Sequence, residues 1–339
     1  MGLIPHRPLW SIGIISAPIE SLYLNSASHA SFLEDPTAQV SDGNSVVEPD
    51  GSLQQRFPAK IGPGRMGMNS QIIVKPNAAE VASTVCEWLI EAIQTAIRER
   101  GKCSIALSGG STPKLLYEKI AENELHCVDW SKVVLLWGDE RNVPQDHEDS
   151  NYGMVKRAWL ERAEATRQPR AIPQVYPVPV HTSAPDRTAH EYSETIRNVL
   201  AENNDKAGAN TSGSAIAPSD RGAKSNLPTI DIVLLGLGDD AHTASLFPET
   251  QALEESENLF VANFVPKFEA YRLTMTLPLI NAAKKVAFLV CGPSKRAAID
   301  VVWHGPRQIE KYPAQGIHPA NGELLWFLDV AAMPERRQG

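Results

Sequence analysis

The sequence contains little cysteine and no long apolar run. Its 339 residues include four cysteines, which are scattered without a CxxC pair or a histidine at metal-ligand spacing. This pattern predicts neither a disulfide framework nor a metal site, and it favours buried free thiols in a reducing compartment. No apolar stretch reaches the ~18 residues that a membrane-spanning helix needs. A membrane partner is therefore not expected.

Positive charge is scarce as well. Lys and Arg number 32 against 40 Asp and Glu, which gives a net charge of −8. An acidic chain is poorly suited to general binding of nucleic acid or anionic lipid, although a few basic groups can still bind phosphate locally. Near the start, the apolar segment LWSIGII is followed by Pro18 and by no clear cleavage site. We therefore expect a cytoplasmic protein, with secretion as the alternative.

Two segments lack the hydrophobic periodicity of helices and strands. Residues 1–69 and 203–227 are rich in small and polar residues. Such compositions bury too little apolar surface to offset the entropy lost on ordering. We expect a flexible N-terminal extension, or an over-extended start, at residues 1–69. A single α/β domain should follow at residues 70–332, with a disordered insertion at residues 203–227.

Outside these segments, short apolar runs alternate with helical patterns. Runs typical of strands lie at residues 71–74, 103–107, 133–137, 230–235, 259–265, 271–277, 286–290 and 324–328. The alternation predicts an open, mostly parallel, doubly wound sheet that is flanked by helices on both faces. In such sheets, ligands bind beyond the carboxyl ends of the strands.

A glycine-rich turn follows the strand predicted at residues 103–107. It consists of Ser108, Gly109, Gly110, Ser111 and Thr112, and a helix begins close to Pro113. Backbone N–H groups at such a helix start, with hydroxyl groups beside them, are suited to binding an anion. The turn is neither a Walker loop nor a GxGxxG fingerprint. An ordinary turn with a helix cap is the alternative.

Two further strand ends carry ionisable groups. The strand predicted at 133–137 precedes Asp139, Glu140 and Arg141, and the strand predicted at 230–235 precedes Asp240 and His242. A carboxylate two residues from an imidazole is suited to acid–base chemistry. The alternatives are a structural ion cluster at the first strand end and a solvated turn at the second. Because three strands of one sheet end in polar loops, a shared site is favoured.

Arg272 and Lys295 occupy positions suited to an anion. Arg272 shares one face of a predicted strand with Thr274 and Thr276, which is typical of a polar cleft. Lys295 lies in the first turn of a predicted helix, where a cation opposes the helix dipole unless an anion is bound. An ordinary exposed arginine is the competing interpretation of Arg272.

Seven short motifs occur in a fixed order within residues 71–331. They are LSGGSTP at 107–113, DER at 139–141, SNYGM at 150–154, GLGDDAHTASLFP at 236–248, RLTMT at 272–276, GPSK at 292–295 and WFLD at 326–329. This ordered set resembles the 6-phosphogluconolactonase family. Ala241 stands where that family usually has glycine, a difference that matters only if this residue needs a positive φ.

The resemblance implies hydrolysis of 6-phospho-D-glucono-1,5-lactone to 6-phospho-D-gluconate in the oxidative pentose phosphate pathway. It implies His242 as general base, Asp240 as orienter of its ring, Arg141 as charge stabiliser and Asp139 as a further catalytic candidate. It also implies that Arg272 and Lys295 hold the 6-phosphate together with the amides of residues 108–112. Neither a metal nor an organic cofactor is expected. The expected partner is a small sugar phosphate, and the expected assembly is a monomer or a small homo-oligomer.

Two other functions are compatible with the same fold. Glucosamine-6-phosphate deaminases resemble this chain in their phosphate loop and their DGH motif, but they carry a glutamate where Phe247 stands here. An apolar side chain cannot take over the proton handling of that glutamate. The second alternative is a non-catalytic regulatory module that binds sugar phosphates. The lack of a helix-turn-helix pattern in residues 1–70 and the presence of both Asp240 and His242 disfavour it.

Overall fold

The computed structural model describes residues 45–47, 53–55, 70–205 and 227–335. All of them belong to one compact unit, Asp42–Gly339. The predicted flexibility of the N-terminal extension and of the insertion concerns residues that lie mostly outside these ranges.

Twelve strands form two sheets. They are β1 (Ser45–Val47), β2 (Leu53–Gln55), β3 (Ser70–Lys75), β4 (Cys103–Leu107), β5 (Val133–Trp137), β6 (Asp139–Arg141), β7 (Gln174–Val175), β8 (Ile232–Leu235), β9 (Phe260–Val265), β10 (Ala270–Met275), β11 (Lys285–Val290) and β12 (Glu323–Asp329). The main sheet has the order β1-β2-β3-β12-β11-β8-β4-β5-β7, and the small sheet has the order β6-β10-β9.

Seven helices accompany the strands in the described ranges. They are α1 (Ala78–Arg100), α2 (Ser111–Lys119), α3 (Asn151–Val155), α4 (Glu161–Ala165), α5 (Pro185–Asp205), α6 (Leu277–Asn281) and α7 (Arg296–His304). Helix α1 begins after Asn77, whose side chain accepts a hydrogen bond of 3.0 Å from the amide of Glu80. It ends at Gly101, whose φ of 80° glycine adopts without steric cost.

The main sheet is mostly parallel, as predicted. Neighbouring strands pair in parallel along the order β3, β12, β11, β8, β4, β5 and β7. In the described ranges, the antiparallel pairs of this sheet are β1 with β2 and β2 with β3, at one edge. Every residue of β4, β5 and β8 is buried, which explains why these strands read as continuous apolar runs. The predicted α/β fold class is therefore confirmed.

The strand order reverses between β4 and β8. From β4 the chain proceeds through β5 to β7 at one edge, and it then returns to β8 on the other side of β4 before adding β11 and β12. The loops that follow β4 and β8 consequently diverge and leave a crevice between them. Such a switch point is where open α/β sheets bind ligands.

The small sheet corrects one expectation and refines another. The segment Asp139–Arg141 is a strand, not a loop, since it pairs antiparallel with β10. Strands β9 and β10 were predicted as strands, but they lie outside the main sheet and pair with each other in the antiparallel sense. Only Gly138 separates β5 from β6. The small sheet therefore begins directly at the carboxyl end of a central strand.

The borders of the two segments without periodicity also differ from prediction. Strands β1 and β2 lie within residues 1–69, where no secondary structure was predicted, and β2 pairs with β3. Helix α5 continues to Asp205, so the predicted insertion begins too early by three residues, 203–205. Short strands of three residues carry too little pattern to be read from sequence alone.

Candidate active site

A cleft of about 300 Å³ opens beyond the carboxyl ends of β4, β5, β8 and β11. Its walls contain nearly all of the residues predicted from sequence: Ser108, Gly109, Gly110, Ser111, Thr112, Asp139, Arg141, His242, Arg272 and Lys295. Asp240 is the exception, because it lies behind His242 and does not line the cleft. The fold thus brings together loops that are up to 187 residues apart in sequence, from Ser108 to Lys295.

The glycine-rich turn is built for close approach. Gly110 has a φ of 105°, which an L side chain rarely adopts, and a Cβ at Gly109 would lie 1.9 Å from Oδ1 of Asn151. The hydroxyl of Tyr117 donates to the carbonyl of Ser108 (2.8 Å) and accepts from its amide (3.1 Å), which anchors the turn to α2. No side chain in the described ranges caps the start of α2. Its first amides therefore remain available to an anion at this wall.

His242 is held by Asp240. Nδ1 of the imidazole lies 2.5 Å from Oδ1 of Asp240, and the backbone amide of His242 donates to the same oxygen (3.2 Å). Hydrogen bonding from His242, with a smaller contribution from the hydrogen bond of Lys267, holds the pKa of Asp240 well below its usual range. Asp240 is therefore an ionised acceptor at neutral pH. Since Nδ1 is engaged, Nε2 is the imidazole nitrogen left for chemistry.

This loop accommodates the pair through two special backbone positions. A Cβ at Gly238 would lie 2.0 Å from Nδ1 of His242, so only glycine permits this approach. Ala241, between the two partners, has a φ of 61° and is buried. The alanine that replaces the glycine expected in the family does matter here, because this conformation costs a residue with a Cβ ~1–2 kcal/mol.

Aromatic rings cover one side of the imidazole. The ring of Phe247 stacks on His242 with centroids 3.9 Å apart and planes at 25°. The ring of Phe268 meets Phe247 edge-on at 5.5 Å. Both aromatic residues line the cleft. They cover one face of the imidazole, which itself lines the cleft.

Asp139 is buried in the cleft wall and held by two neighbours. The hydroxyl of Ser245 donates to Oδ2 of Asp139 (2.7 Å), and Nδ2 of Asn151 donates to the carbonyl of Asp139 (2.9 Å). The amide of Ser245 in turn donates to the hydroxyl of Thr274 on β10 (3.1 Å). The carboxylate thus has a fixed orientation and faces the cleft.

The Glu140 side chain points away from the cleft and has a structural role. It is 1 % exposed, and its carboxylate accepts hydrogen bonds from the amides of Arg141 (2.7 Å), Asn151 (2.7 Å) and Tyr152 (2.8 Å). Burial raises the pKa of Glu140, although these amides act in the opposite direction. The carboxylate joins β6 to the start of α3. The charged run 139–141 therefore contains two cleft residues and one structural residue between them.

Arg141 and Arg272 form a cationic wall. They lie directly opposite each other on β6 and β10 and both line the cleft. Burial, followed by the charge of Arg141, lowers the pKa of Arg272. The guanidinium of Arg272 also lies 5.1 Å from the centroid of the Phe268 ring. Two like charges at neighbouring positions are unfavourable alone and favour a bound anion.

Lys295 follows β11 and lines the cleft. In the sheet, β11 lies on the side of β4 opposite to β5, which leads to Arg141. Its ammonium lies 2.6 Å from Oδ1 of Asp239, and this ion pair holds the pKa of Asp239 below its usual range. Lys295 is 26 % exposed, whereas Asp239 is 66 % exposed. An entering anion would therefore compete with a partly solvated aspartate for this lysine.

Sequence reasoning did not assign four residues of this region to the site: Asn151, Ser245, Lys267 and Phe268. Asn151 and Ser245 lie within motifs noted above, so a signal was present without an assigned role. Lys267 and Phe268 lie in the turn between β9 and β10, where nothing in the local sequence indicates that the turn reaches another loop. Their placement depends on the small sheet.

Three structural findings bear on other expectations. Cys86 and Cys103 are buried, but Cys291 is half-buried and Cys127 is exposed, so the predicted burial of the thiols holds for two of them. In the part of the chain that the structure describes, no group of three or more His, Cys, Asp or Glu side chains is arranged to hold a metal. Within the same ranges, no helix is both long and apolar enough to cross a membrane.

Comparison with known proteins identifies close relatives. A 6-phosphogluconolactonase of Nostoc sp. is 37% identical over 268 residues, covering 79% of this chain and 99% of that protein. The 6-phosphogluconolactonase of Synechocystis sp. is 38% identical over 267 residues, covering 78% and 94% respectively. The solved structure of 6-phosphogluconolactonase from Trypanosoma cruzi matches with a TM-score of 0.64 and 29% identity, covering 79% of this chain and 97% of that one.

A family model also matches most of the folded unit. The model described as glucosamine-6-phosphate isomerases/6-phosphogluconolactonase matches residues 76–326, which contain every predicted site residue. The resemblance drawn from the seven motifs is thereby confirmed. With this match and these relatives, the chain belongs to the family of glucosamine-6-phosphate isomerases and 6-phosphogluconolactonases.

Proposed function

We propose that this protein is a 6-phosphogluconolactonase, which hydrolyses 6-phospho-D-glucono-1,5-lactone to 6-phospho-D-gluconate. The observation that carries the proposal is the His242–Asp240 pair, whose atoms lie 2.5 Å apart beside a cleft with cationic walls. A base and an anion-binding wall in one cleft are what a phosphorylated lactone requires. The names of the relatives that are 37% and 38% identical support the same activity.

His242 is the proposed general base. Its Nδ1–H donates to the ionised Asp240, so Nε2 carries a lone pair that accepts a proton from water. The water oxygen attacks C1 of the lactone and a tetrahedral oxyanion forms. When that intermediate collapses, the bond from C1 to the ring oxygen breaks, and the imidazolium returns the proton to the ring oxygen. Water is consumed, and His242 ends the cycle as it began.

Charge stabilisation is assigned to Arg141. It lies on β6 opposite Arg272 of β10 and faces the cleft, so it is the proposed partner of the oxyanion and of substrate oxygens. Asp139, fixed by Ser245 and Asn151, is suited to accepting hydrogen bonds from sugar hydroxyls. Its direct participation in proton transfer is the secondary assignment.

The 6-phosphate is assigned to the glycine-rich turn with Arg272 and Lys295. The uncapped start of α2 offers backbone amides, and the two cations flank the turn from opposite sides. Binding energy from this remote group holds C1 in position for attack. Because Lys295 already pairs with Asp239, phosphate binding requires exchange of that partner.

A deaminase is the reaction most closely related to this one in the same family. The side chain stacked on His242 is that of Phe247, which cannot accept or donate a proton. A histidine that opens a sugar ring needs a polar partner at that face. This contact therefore favours lactone hydrolysis over deamination.

The proposal is tested by supplying both substrates to the purified protein. Fresh 6-phosphogluconolactone should release acid faster than the uncatalysed background, which is measured without enzyme. Glucosamine 6-phosphate should release no ammonia. Ammonia release, or acid release equal to the background, would contradict the proposed function.

A further inference from the structure

The turn between β9 and β10 reaches the acid–base pair from another sheet. Residues Pro266–Phe268 form a single 3-10 turn, and Glu269 closes it with a φ of 49°. The Phe268 ring packs edge-on against Phe247, with ring centroids 5.5 Å apart. The guanidinium of Arg272 lies over the Phe268 ring, 5.1 Å from its centroid. These contacts fix where the turn lies, and they place its lysine beside the loop that follows β8.

Lys267 makes a specific contact there. Its ammonium lies 3.1 Å from Oδ2 of Asp240, while Oδ1 of the same carboxylate bonds to His242. The two carboxylate oxygens therefore have different partners, and the carboxylate cannot rotate without breaking one contact. The Lys267 side chain is 61 % exposed, and that of Asp240 is 28 % exposed. A pair this open contributes little to folding stability.

We propose that Lys267 is a positioning residue for the proposed lactonase reaction. Its ammonium fixes the Asp240 carboxylate so that one oxygen always faces the imidazole of His242. The inference rests on the proposed function for its catalytic consequence. The hydrogen-bond geometry that carries it is independent of the substrate.

Other charges near the cleft act on the imidazole as well. They are Asp240 in its own loop, Asp139 and Arg141 on β6, Arg272 on β10, and the Lys295–Asp239 pair at the start of α7. Among the ion pairs of these groups in the described part of the chain, Lys267 is the cation that shares the Asp240 carboxylate with His242. Removing it therefore alters the orientation of Asp240 and one nearby charge, and it leaves the cleft wall intact.

Lys267→Met tests the proposal, since methionine keeps the length of the aliphatic stem without the charge. We expect a lower kcat with little change in KM, because Lys267 does not line the cleft. The acid limb of the pH–rate profile should move to higher pH by about 0.5–1 unit, as expected for loss of a partly solvated charge within a few ångströms. Lys267→Arg keeps the charge and should stay close to the parent.

Lys132→Met is a matched control. Lys132 also forms a partly exposed ion pair with an aspartate, 3.6 Å from Asp129, but it precedes β5 at the end of the sheet opposite the cleft. Its loss should leave kcat and the pH–rate profile unchanged. If Lys132→Met and Lys267→Met shift the profile equally, the effect is one of net charge and the positioning role is wrong.

A measurement without substrate separates this inference from the proposed function. The Nδ1–H proton of an imidazole bonded to a carboxylate resonates far downfield in proton NMR spectra, and the signal of His242 is identified by its loss in His242→Gln. In Lys267→Met this signal should broaden or move upfield, because the carboxylate gains a second orientation. An unchanged signal would overturn the positioning role, whether or not the parent hydrolyses the lactone. A parent with this signal but without activity would contradict the proposed function alone.

Discussion

At the scale of single residues, the site depends on a short strained loop. Gly238 leaves room for the imidazole, and Ala241 adopts the left-handed conformation between the two members of the pair. Strain of this kind persists where surrounding packing determines the backbone, and Ala241 is fully buried. The loop therefore presents His242 in one orientation before substrate arrives.

His242→Gln should slow the enzyme by about 10²–10⁴-fold, the usual contribution of a positioned general base. Glutamine keeps hydrogen-bonding capacity but cannot accept the proton. If His242 is the base, the pH–rate profile should have an acid limb, which Asp240 cannot cause because hydrogen bonding holds its pKa well below the usual range. That acid limb should be present in the parent and absent in the variant. Rates at several pH values, corrected for spontaneous hydrolysis, provide the check. Near-parental turnover would shift the role of base to Asp139.

Arg272→Ala and Lys295→Ala should each weaken binding of 6-phosphogluconate by about 1.5–3 kcal/mol, the range for hydrogen bonds to charged groups. Lys295→Ala also releases Asp239, whose negative charge then faces the anion, so its effect should be at least as large. Titration calorimetry measures both. Arg170→Ala is the control, because its side chain is 79 % exposed and pairs with Asp129 away from the cleft. Unaltered affinity in both variants would mean that the phosphate binds elsewhere.

At the scale of elements, the small antiparallel sheet delivers three of the predicted cleft residues, Asp139, Arg141 and Arg272. Its strand β6 continues from β5 with a single glycine between them, and its strand β10 places Arg272 opposite Arg141. Glu140 connects β6 to α3 through the backbone amides of Asn151 and Tyr152 and the hydroxyl of Ser150. One buried carboxylate thus keeps the cleft residues of β6 and α3 in register.

Glu140→Gln should destabilise the fold by about 1–3 kcal/mol. The NH₂ group of glutamine would face a backbone N–H, from which it cannot accept a hydrogen bond. Burial raises the pKa of Glu140, so the folded state binds this proton more tightly than the unfolded chain does. The parent should therefore lose part of its stability as pH rises through that elevated pKa, and the variant should lack this dependence. Denaturant unfolding at several pH values measures both effects. Glu118→Gln, on the exposed face of α2, should change neither.

At the scale of the whole molecule, the doubly wound order decides where the site lies. The segment predicted as an insertion, residues 203–227, connects α5 to β8, and neither of its described ends reaches the cleft lining. The N-terminal segment differs, because β2 pairs with β3 at the edge of the main sheet. The two segments that composition groups together therefore have different relations to the folded unit.

Replacing residues 206–226 by a short glycine–serine linker should leave turnover within about threefold of the parent, because segments of such polar, aperiodic composition generally tolerate change in length. Deleting residues 1–69 should also preserve turnover, but it should lower the thermal midpoint, since it removes β1 and β2 and exposes the edge of β3. Calorimetry and the lactone assay separate the two effects. A folded, soluble linker variant without activity would show that the insertion contributes to the site.

Much of the site was predictable because its residues follow strands in compact motifs. The glycine-rich turn and the Asp240–His242 spacing are local features, and the edge of a parallel sheet gathers such loops. The reach of Lys267 and the inward placement of Asn151 were not predictable. They depend on the packing of β10 against β6 and on the contact with Gly109, which join residues distant in sequence.

The sequence by itself determined the alternation of buried strands and helices, the turn at Gly109 and Gly110, and the pairing of Asp240 with His242, because each depends on neighbours within a few residues. Only the tertiary structure decided that Glu140 is structural while Asp139 and Arg141 face the cleft. It also decided that Lys267 meets Asp240 across 27 positions of the chain. Alternation along β6 separates Glu140 from Asp139 and Arg141, but the pairing of β6 with β10 decides which face meets the cleft. That pairing and the contact of Lys267 join residues distant in sequence, which local patterns do not encode.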